Sequence, residues 1–180
     1  MRISWIDWTA TSDARRLTDF VGYLVRLRHQ KPMLRRGRFL TGAYNEELDV
    51  KDVTWLTPSA VEMTPDNWHD PNARSMGVLL DGRAQETGVR RRGTDITLYL
   101  CLNAYHDVVV FNLPKTPGGR GWILRVDTNL PDAEKMKTFR FGHQYSAAGR
   151  SLLLFELRRT TGAESKGEIA AASRRDGALA

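Results

Sequence analysis

The chain has 180 residues, a formal charge of +6, 41% hydrophobic and 27% charged residues, an ordinary globular composition with room for one domain or one and a half. No apolar run approaches the roughly 20 residues needed to span a bilayer, and Asp7 stands where a signal peptide would need an apolar stretch, so the chain reads as soluble and cytoplasmic, with no membrane partner. Its only cysteine, Cys101, excludes an intrachain disulfide. Positive charge is spread over Arg15/Arg16, Arg26/Arg28, Arg35/Arg36/Arg38, Arg90 to Arg92, Arg158/Arg159 and Arg174/Arg175. It follows no recognition-helix or aromatic strand pattern, so a nucleic-acid partner is not expected.

In chain order, Met1 to Trp8 brings two tryptophans and two isoleucines with no structure before them to bury them, as if the chain began inside a larger fold. From Thr11 to Lys31, Leu17, Phe20, Val21, Leu24, Val25 and Leu27 recur at three- and four-residue steps, the signature of an amphipathic helix. Thr11 or Ser12 serves as its N-cap, Asp13 suits the positive end of the dipole, Arg28, His29 and Lys31 the negative end, and Pro32 stops it. Its apolar stripe needs a surface to lie on.

Beyond Pro32, Arg35 to Arg38 is a polar connection and Val53 to Leu56 a short strand. Met63 to Asn72, bracketed by Pro65 and Pro71, is expected to make at most a short turn before the apolar stretch Met76 to Leu80. Arg83 to Gly93 reads as an exposed polar loop. From Asp95 the chain alternates, with Ile96, Leu98, Leu100 and Leu102 on one face and Thr97, Tyr99 and Cys101 on the other. Further strands are expected at Val108 to Leu113, Trp122 to Val126 and Ser151 to Leu157, with Pro117-Gly118-Gly119 as a turn. The spacing argues an antiparallel β-sandwich, while Thr160 to Ala180 holds too little apolar material to pack and is expected to be disordered.

Paired carboxylates can run glycoside hydrolysis, and Asp7, Glu62, Asp66, Asp70 and Asp81 are the candidates. Asp66 reads as a turn or capping residue and Asp81 as a residue before a turn glycine. Asp7 lies between Trp5 and Trp8, and aromatic rings beside a carboxylate are what sugar sites offer. Trp5, Asp7 and Trp8 are therefore the candidate substrate-binding residues, with core packing of the two rings as the competing account. His29, His69, His106 and His143 form no zinc spacing, and His69-Asp70 reads as a hydrogen-bonded loop pair, so neither a metal nor a cofactor is expected. Ser75 and Ser151 lack a nucleophile elbow, Cys101 has no nearby histidine, and no catalytic residue is assigned.

The ordered motifs do resemble one family. Ile3-Ser4-Trp5-Ile6-Asp7-Trp8, the run from Leu24 to Pro32, Trp55-Leu56-Thr57-Pro58, Glu62-Met63-Thr64, Trp68, and Ala73 to Gly82 are similar to the closing part of bacterial glycogen debranching enzymes of isoamylase type, in the α-amylase superfamily. Leu102 to His106, Phe111 to Pro114, Trp122, Asp127-Thr128 and Gly149 to Leu152 continue the likeness. Met1-Arg2 and Ala60 depart from it, standing where the family usually has an Asn-bearing stretch and a turn glycine.

The resemblance implies a (β/α)₈ barrel that hydrolyses α-1,6 branch linkages of glycogen-like α-glucans, retaining configuration through an Asp nucleophile and a Glu acid/base. No position here matches the motifs of those two residues. Its implied organisation is a mainly β chain: residues 1–34 end the glycosidase barrel with its last helix, residues 35–158 form the C-terminal β-sandwich, and residues 159–180 are a disordered basic tail. The implied partner is glycogen, met through the parent enzyme, or a separate barrel-bearing chain. A stand-alone α-glucan-binding module, with Trp5, Trp8, Trp55, Trp68 or Trp122 as stacking platforms, is the alternative.

Overall fold

A computed structural model describes residues 11–35, 37, 39–84, 96–130 and 136–159. The first described element is the expected helix, α1 (Ser12–Gln30). Thr11 adopts an extended backbone and its hydroxyl accepts the Ala14 N–H at 3.2 Å, satisfying one of the donors that every helix start leaves open. Beyond Lys31 the chain tightens into one 3₁₀ turn, Pro32–Arg35. The Arg35 guanidinium turns back to donate to the carbonyls of Arg28 and His29 at 3.1 and 3.0 Å.

The strands that follow are β1 (Tyr44–Asn45), β2 (Val50–Lys51), β3 (Val53–Leu56), β4 (Ser75–Asp81), β5 (Thr97–Asn103), β6 (Val109–Asn112), β7 (Gly119–Asp127), β8 (Thr138–Phe139), β9 (Gln144–Ala147) and β10 (Ser151–Arg159). Six of them form one sheet in the order β3-β4-β5-β10-β7-β8, antiparallel throughout. The second layer is the β6–β9 pair, and β1–β2 is a small separate hairpin. The described chain is thus mainly β, as expected, with one long helix.

Directly opposed residues of neighbouring strands point to the same side, so the register sorts the sheet into two faces. On one face Tyr99, Cys101, Leu153, Phe155, Leu124 and Trp122 meet Phe111, Leu113 and Ala147 from the second layer, and this is the main core. On the other, Leu98, Leu154 and Val126 meet Leu27 and Met33, with Phe20, Tyr23 and Leu24 beside them. The alternation of β5 therefore feeds two different cores.

Gly77, in the middle of β4, has a packing reason. A Cβ there would sit 2.5 Å from the Tyr99 hydroxyl, so only glycine leaves room for that ring under the second layer. The Tyr99 hydroxyl has no nitrogen or oxygen partner among the described residues, and the Cys101 thiol is its polar neighbour. Burial pushes both groups above their ordinary ranges. Their neutral forms are thus favoured in the fold, so the stability they contribute is complete below the unfolded-state values, about 8.5 for Cys and 10 for Tyr, and is lost as pH rises past them. Two outcomes are expected: Cys101 resists a disulfide thiol reagent at pH 8 until urea is added, and the unfolding midpoint falls above about pH 9. Rapid labelling of the native chain would contradict this burial.

The short turn expected within Met63 to Asn72 takes the form of a one-turn helix, α2 (Pro65–His69): Thr64 and Asn67 close a capping box and Pro65 takes the first helical position, where its missing N–H costs nothing. Several expectations need correction. Val108 to Leu113 supplies β6, whose partner is β9, a strand not foreseen; β1, β2 and β8 were not foreseen either. Arg83 and Ala84 are packed and not an exposed loop: Ala84 is buried, and Arg83 donates to Asp81 at 2.8 Å. His69 and Asp70 do not bond each other; His69 Nδ1 lies 2.6 Å from the Pro65 carbonyl and Asp70 accepts the Asn72 N–H. The proposed tail beyond Arg159 lies outside the described residues, as does most of Arg83 to Gly93.

Candidate functional site

The sequence-derived trio Trp5, Asp7 and Trp8 lies outside the described residues. Of the other tryptophans, Trp122 is fully buried and its indole N–H is held by the Pro114 carbonyl at 2.8 Å, which removes it as a sugar platform. The carboxylates are spoken for or scattered. Glu62 pairs with Lys51 at 2.6 Å, Asp81 is buried and holds both Arg83 and the Thr97 hydroxyl, and Asp66 is exposed on α2. Among the described residues no group of three His, Cys, Asp or Glu side chains is placed to hold a metal ion. No helix of the described residues is long and apolar enough to cross a membrane.

Among the described residues, the fold presents an apolar face that none of them covers. At 100° per residue the apolar arc of α1, from Tyr23 through Leu27, Phe20, Leu24, Leu17 and Val21 to Val25, spans about 200°. The sheet uses only the half bearing Tyr23, Leu27, Phe20 and Leu24. Leu17, Val21 and Val25, spaced four apart, remain 63%, 48% and 50% exposed. Between this helix and the sheet runs a cavity of about 350 Å³, lined by Phe20, Leu24 and Leu27 on one side and Leu100, Leu152 and Leu154 on the other. Arg28 and Thr128 are the only polar side chains in its lining. Such a lining, with no carboxylate, histidine or cysteine among its described residues, is suited to apolar groups.

The helix is fixed to the sheet by a compact charge cluster. Glu156 on β10 accepts Lys31 Nζ at 2.6 Å and Arg125 Nε at 2.7 Å, all three side chains being less than a fifth exposed. Tyr23 donates its hydroxyl to the Arg125 carbonyl at 2.7 Å, and burial pushes its phenol above the ordinary range, against the pull of the Arg125 charge.

At the β3 edge of the same sheet face stands a second feature. Trp55, opposed to Val78 and through it to Leu100 and Leu154, meets Trp68 of α2 at a ring-centroid distance of 5.5 Å. The two rings cross at 75°, and both stay solvent-accessible. From sequence these two are stacking platforms only in the alternative reading, behind the favoured Trp5 and Trp8; the register and the capping of α2 bring them together.

Comparison with known proteins gives consistent matches. The family model described as Isoamylase, C-terminal, matches residues 52–156. The chain is 34% identical over 161 residues to the protein named "Glycogen operon protein GlgX homolog" of Mycobacterium tuberculosis (strain ATCC 25618 / H37Rv), and equally to that of Mycobacterium bovis, covering 88% of this chain and 22% of each relative. It is 23% identical over 161 residues to the isoamylase of Pseudomonas amyloderamosa, covering 84% of this chain and 19% of that enzyme. The chain thus spans about a fifth of the length of the curated relatives it matches.

Proposed function

The chain belongs to the isoamylase C-terminal family, and from that premise we propose that it is the C-terminal portion of a glycogen debranching enzyme, an α-1,6-glucosidase acting on branch linkages of glycogen and related α-glucans. In this reading the Asp nucleophile and Glu acid/base belong to a catalytic barrel preceding α1, on the same polypeptide or a companion one. The chain alone is inactive, and glycogen is met through the assembled enzyme. Residues 1–34 close that barrel, with α1 as its last helix, and residues 35–158 are the β domain that holds α1 in place.

One observation carries the proposal: α1 has an apolar arc about twice as wide as its own sheet covers, continuous with an apolar cavity of about 350 Å³. Leu17, Val21 and Val25 take no part in the described cores of this β domain. A helix shared between the β domain and a barrel needs both halves. Burying the second half contributes roughly 25 cal/mol per Å² of apolar surface to holding the two portions together.

The test has two arms. The pure chain is expected to release no reducing ends from glycogen. The endogenous protein, captured with an antibody against the Trp122 to Leu157 region, is expected to debranch glycogen and to have a mass several times 20.4 kDa, or to carry a companion chain that supplies the barrel. Hydrolysis by the pure chain, or capture of a solitary inactive 20.4 kDa species, would overturn the reading.

A further inference from the structure

We propose that Trp55 and Trp68 form an α-glucan-binding corner, in which the two indoles stack on neighbouring glucosyl units of an α-1,4-linked chain. The choice of α-linked glucose rests on the debranching reading; the existence of a carbohydrate surface rests on the geometry of the pair.

The corner is built on braced backbone. The chain leaves β3 after Leu56 and reverses through residues 57–61, where the Thr57 and Val61 backbones bond at 2.8 Å and Ala60 adopts a positive φ of 64°. A single bridge between Leu56 and Glu62 closes the reversal, and the Met63 N–H returns to the Trp55 carbonyl at 2.9 Å. One residue on, the Thr64–Asn67 capping box and Pro65 start α2, which carries Trp68 at its fourth position. The fourteen residues from Trp55 to Trp68 thus set two rings at 5.5 Å and 75°.

An indole is the largest apolar side chain and ordinarily goes inside. Here two of them keep 40% and 48% of their surface in water, side by side in one edge-to-face pair. Aromatic side chains held at the surface in a fixed arrangement are suited to ligand contact. The ligand chemistry follows from shape. The C–H face of a glucopyranose ring is flat and apolar and stacks on an indole, while its rim hydroxyls stay in water or find polar neighbours. In an α-1,4-linked chain successive rings turn with respect to each other, so two platforms at a wide angle suit neighbouring units. A flat β-linked chain would call for coplanar platforms. The carboxylates of Glu62, Asp66 and Asp70 close by in sequence disfavour a phosphate-bearing ligand.

Electrophoresis of the chain through gels containing glycogen is the experiment. The wild-type chain is expected to be slowed by glycogen and to run freely in hydroxyethyl cellulose. Trp68→Ala should lose the retardation, with a roughly tenfold or greater loss of affinity for maltoheptaose. Free migration of the wild-type chain in glycogen, undiminished retardation of Trp68→Ala, or equal retardation by the β-linked polymer would each overturn the assignment. Should Trp68→Ala fail to fold, the unmodified chain still decides: on maltoheptaose titration the indole N–H signals of Trp55 and Trp68 should shift, while that of Trp122, locked on the Pro114 carbonyl, stays. Shifts absent from Trp55 and Trp68 would sink the proposal. The debranching reading is judged separately, by the mass and activity of the endogenous protein, so either can fall alone.

Discussion

Val21→Asp combined with Val25→Asp is expected to leave the isolated chain folded and to destroy its coupling to a catalytic portion. Both valines are about half exposed on the half of α1 that faces away from the sheet, so the change in the chain's own stability should stay within about 0.5 kcal/mol. In an assembled enzyme the same two carboxylates would be driven into an apolar contact without partners. That penalty is about 4 kcal/mol for the pair, or about a thousandfold in association.

A hybrid tests this, with the present chain replacing the corresponding segment of the Mycobacterium tuberculosis GlgX homolog. The wild-type hybrid should unfold as one unit and the double variant should separate into two transitions. The isolated wild-type chain should also bind an apolar dye and self-associate with concentration, and the double variant should do so much less. An unaltered hybrid would mean that the stripe faces solvent in the whole protein, and the shared-helix argument would fail.

The two halves of α1 also show how far the sequence could be read. Thr11, Asp13 and Pro32 mark the helix ends because capping and proline act locally, and the ends fall within one residue of those signals. The apolar periodicity likewise names the right side chains, but it cannot divide them between a surface inside the chain and one outside it; only the position of Leu98, Leu154 and Val126 does that. The strong alternation of β5 was legible, since both faces are buried by different layers. The two-residue strands β1, β2 and β8 are too short to show a period, and β9 reads as polar because Gln144 and Ser146 lie on the outer side of the second layer.

The short turn within Met63 to Asn72 was legible because its signals are local: Thr64 with Asn67 three residues on starts it, and Pro65 at the first helical position initiates instead of breaking it. The sequence sets Trp5 and Trp8 apart by the carboxylate between them but does not separate Trp55, Trp68 and Trp122. Trp122 is fixed inside by an acceptor eight residues upstream and by the second layer, and Trp55 is left outside because β3 is the last strand of the sheet. Neither fact has a local signature.

Glu156→Ala is expected to release α1 from the sheet at a cost of about 3 kcal/mol, because it strips the shared acceptor from two cations, Lys31 and Arg125, that the fold holds away from bulk water. Lys31 and Arg125 are then left beside each other without their shared acceptor. Glu156→Gln should cost less, since an amide oxygen can still accept one of the two bonds while the side chain's volume is preserved. Partial burial also means that salt should rescue little of the loss, unlike an exposed pair such as Lys51–Glu62. The measurement is hydrogen exchange with far-ultraviolet dichroism. Helical signal and protection should fall over Ser12–Gln30 while β5, β7 and β10 keep theirs, because the Tyr99/Trp122/Phe155 core lies on the opposite face. Uniform loss of protection would instead mean that the cluster supports the whole sheet. If α1 alone is released, Glu156→Ala should weaken the hybrid enzyme as the aspartates do, although every residue of the exposed stripe is unchanged. The clamp and the docking half of the helix would then be two ends of one device: the β domain holds α1 at its buried arc so that the other arc is presented in a fixed place.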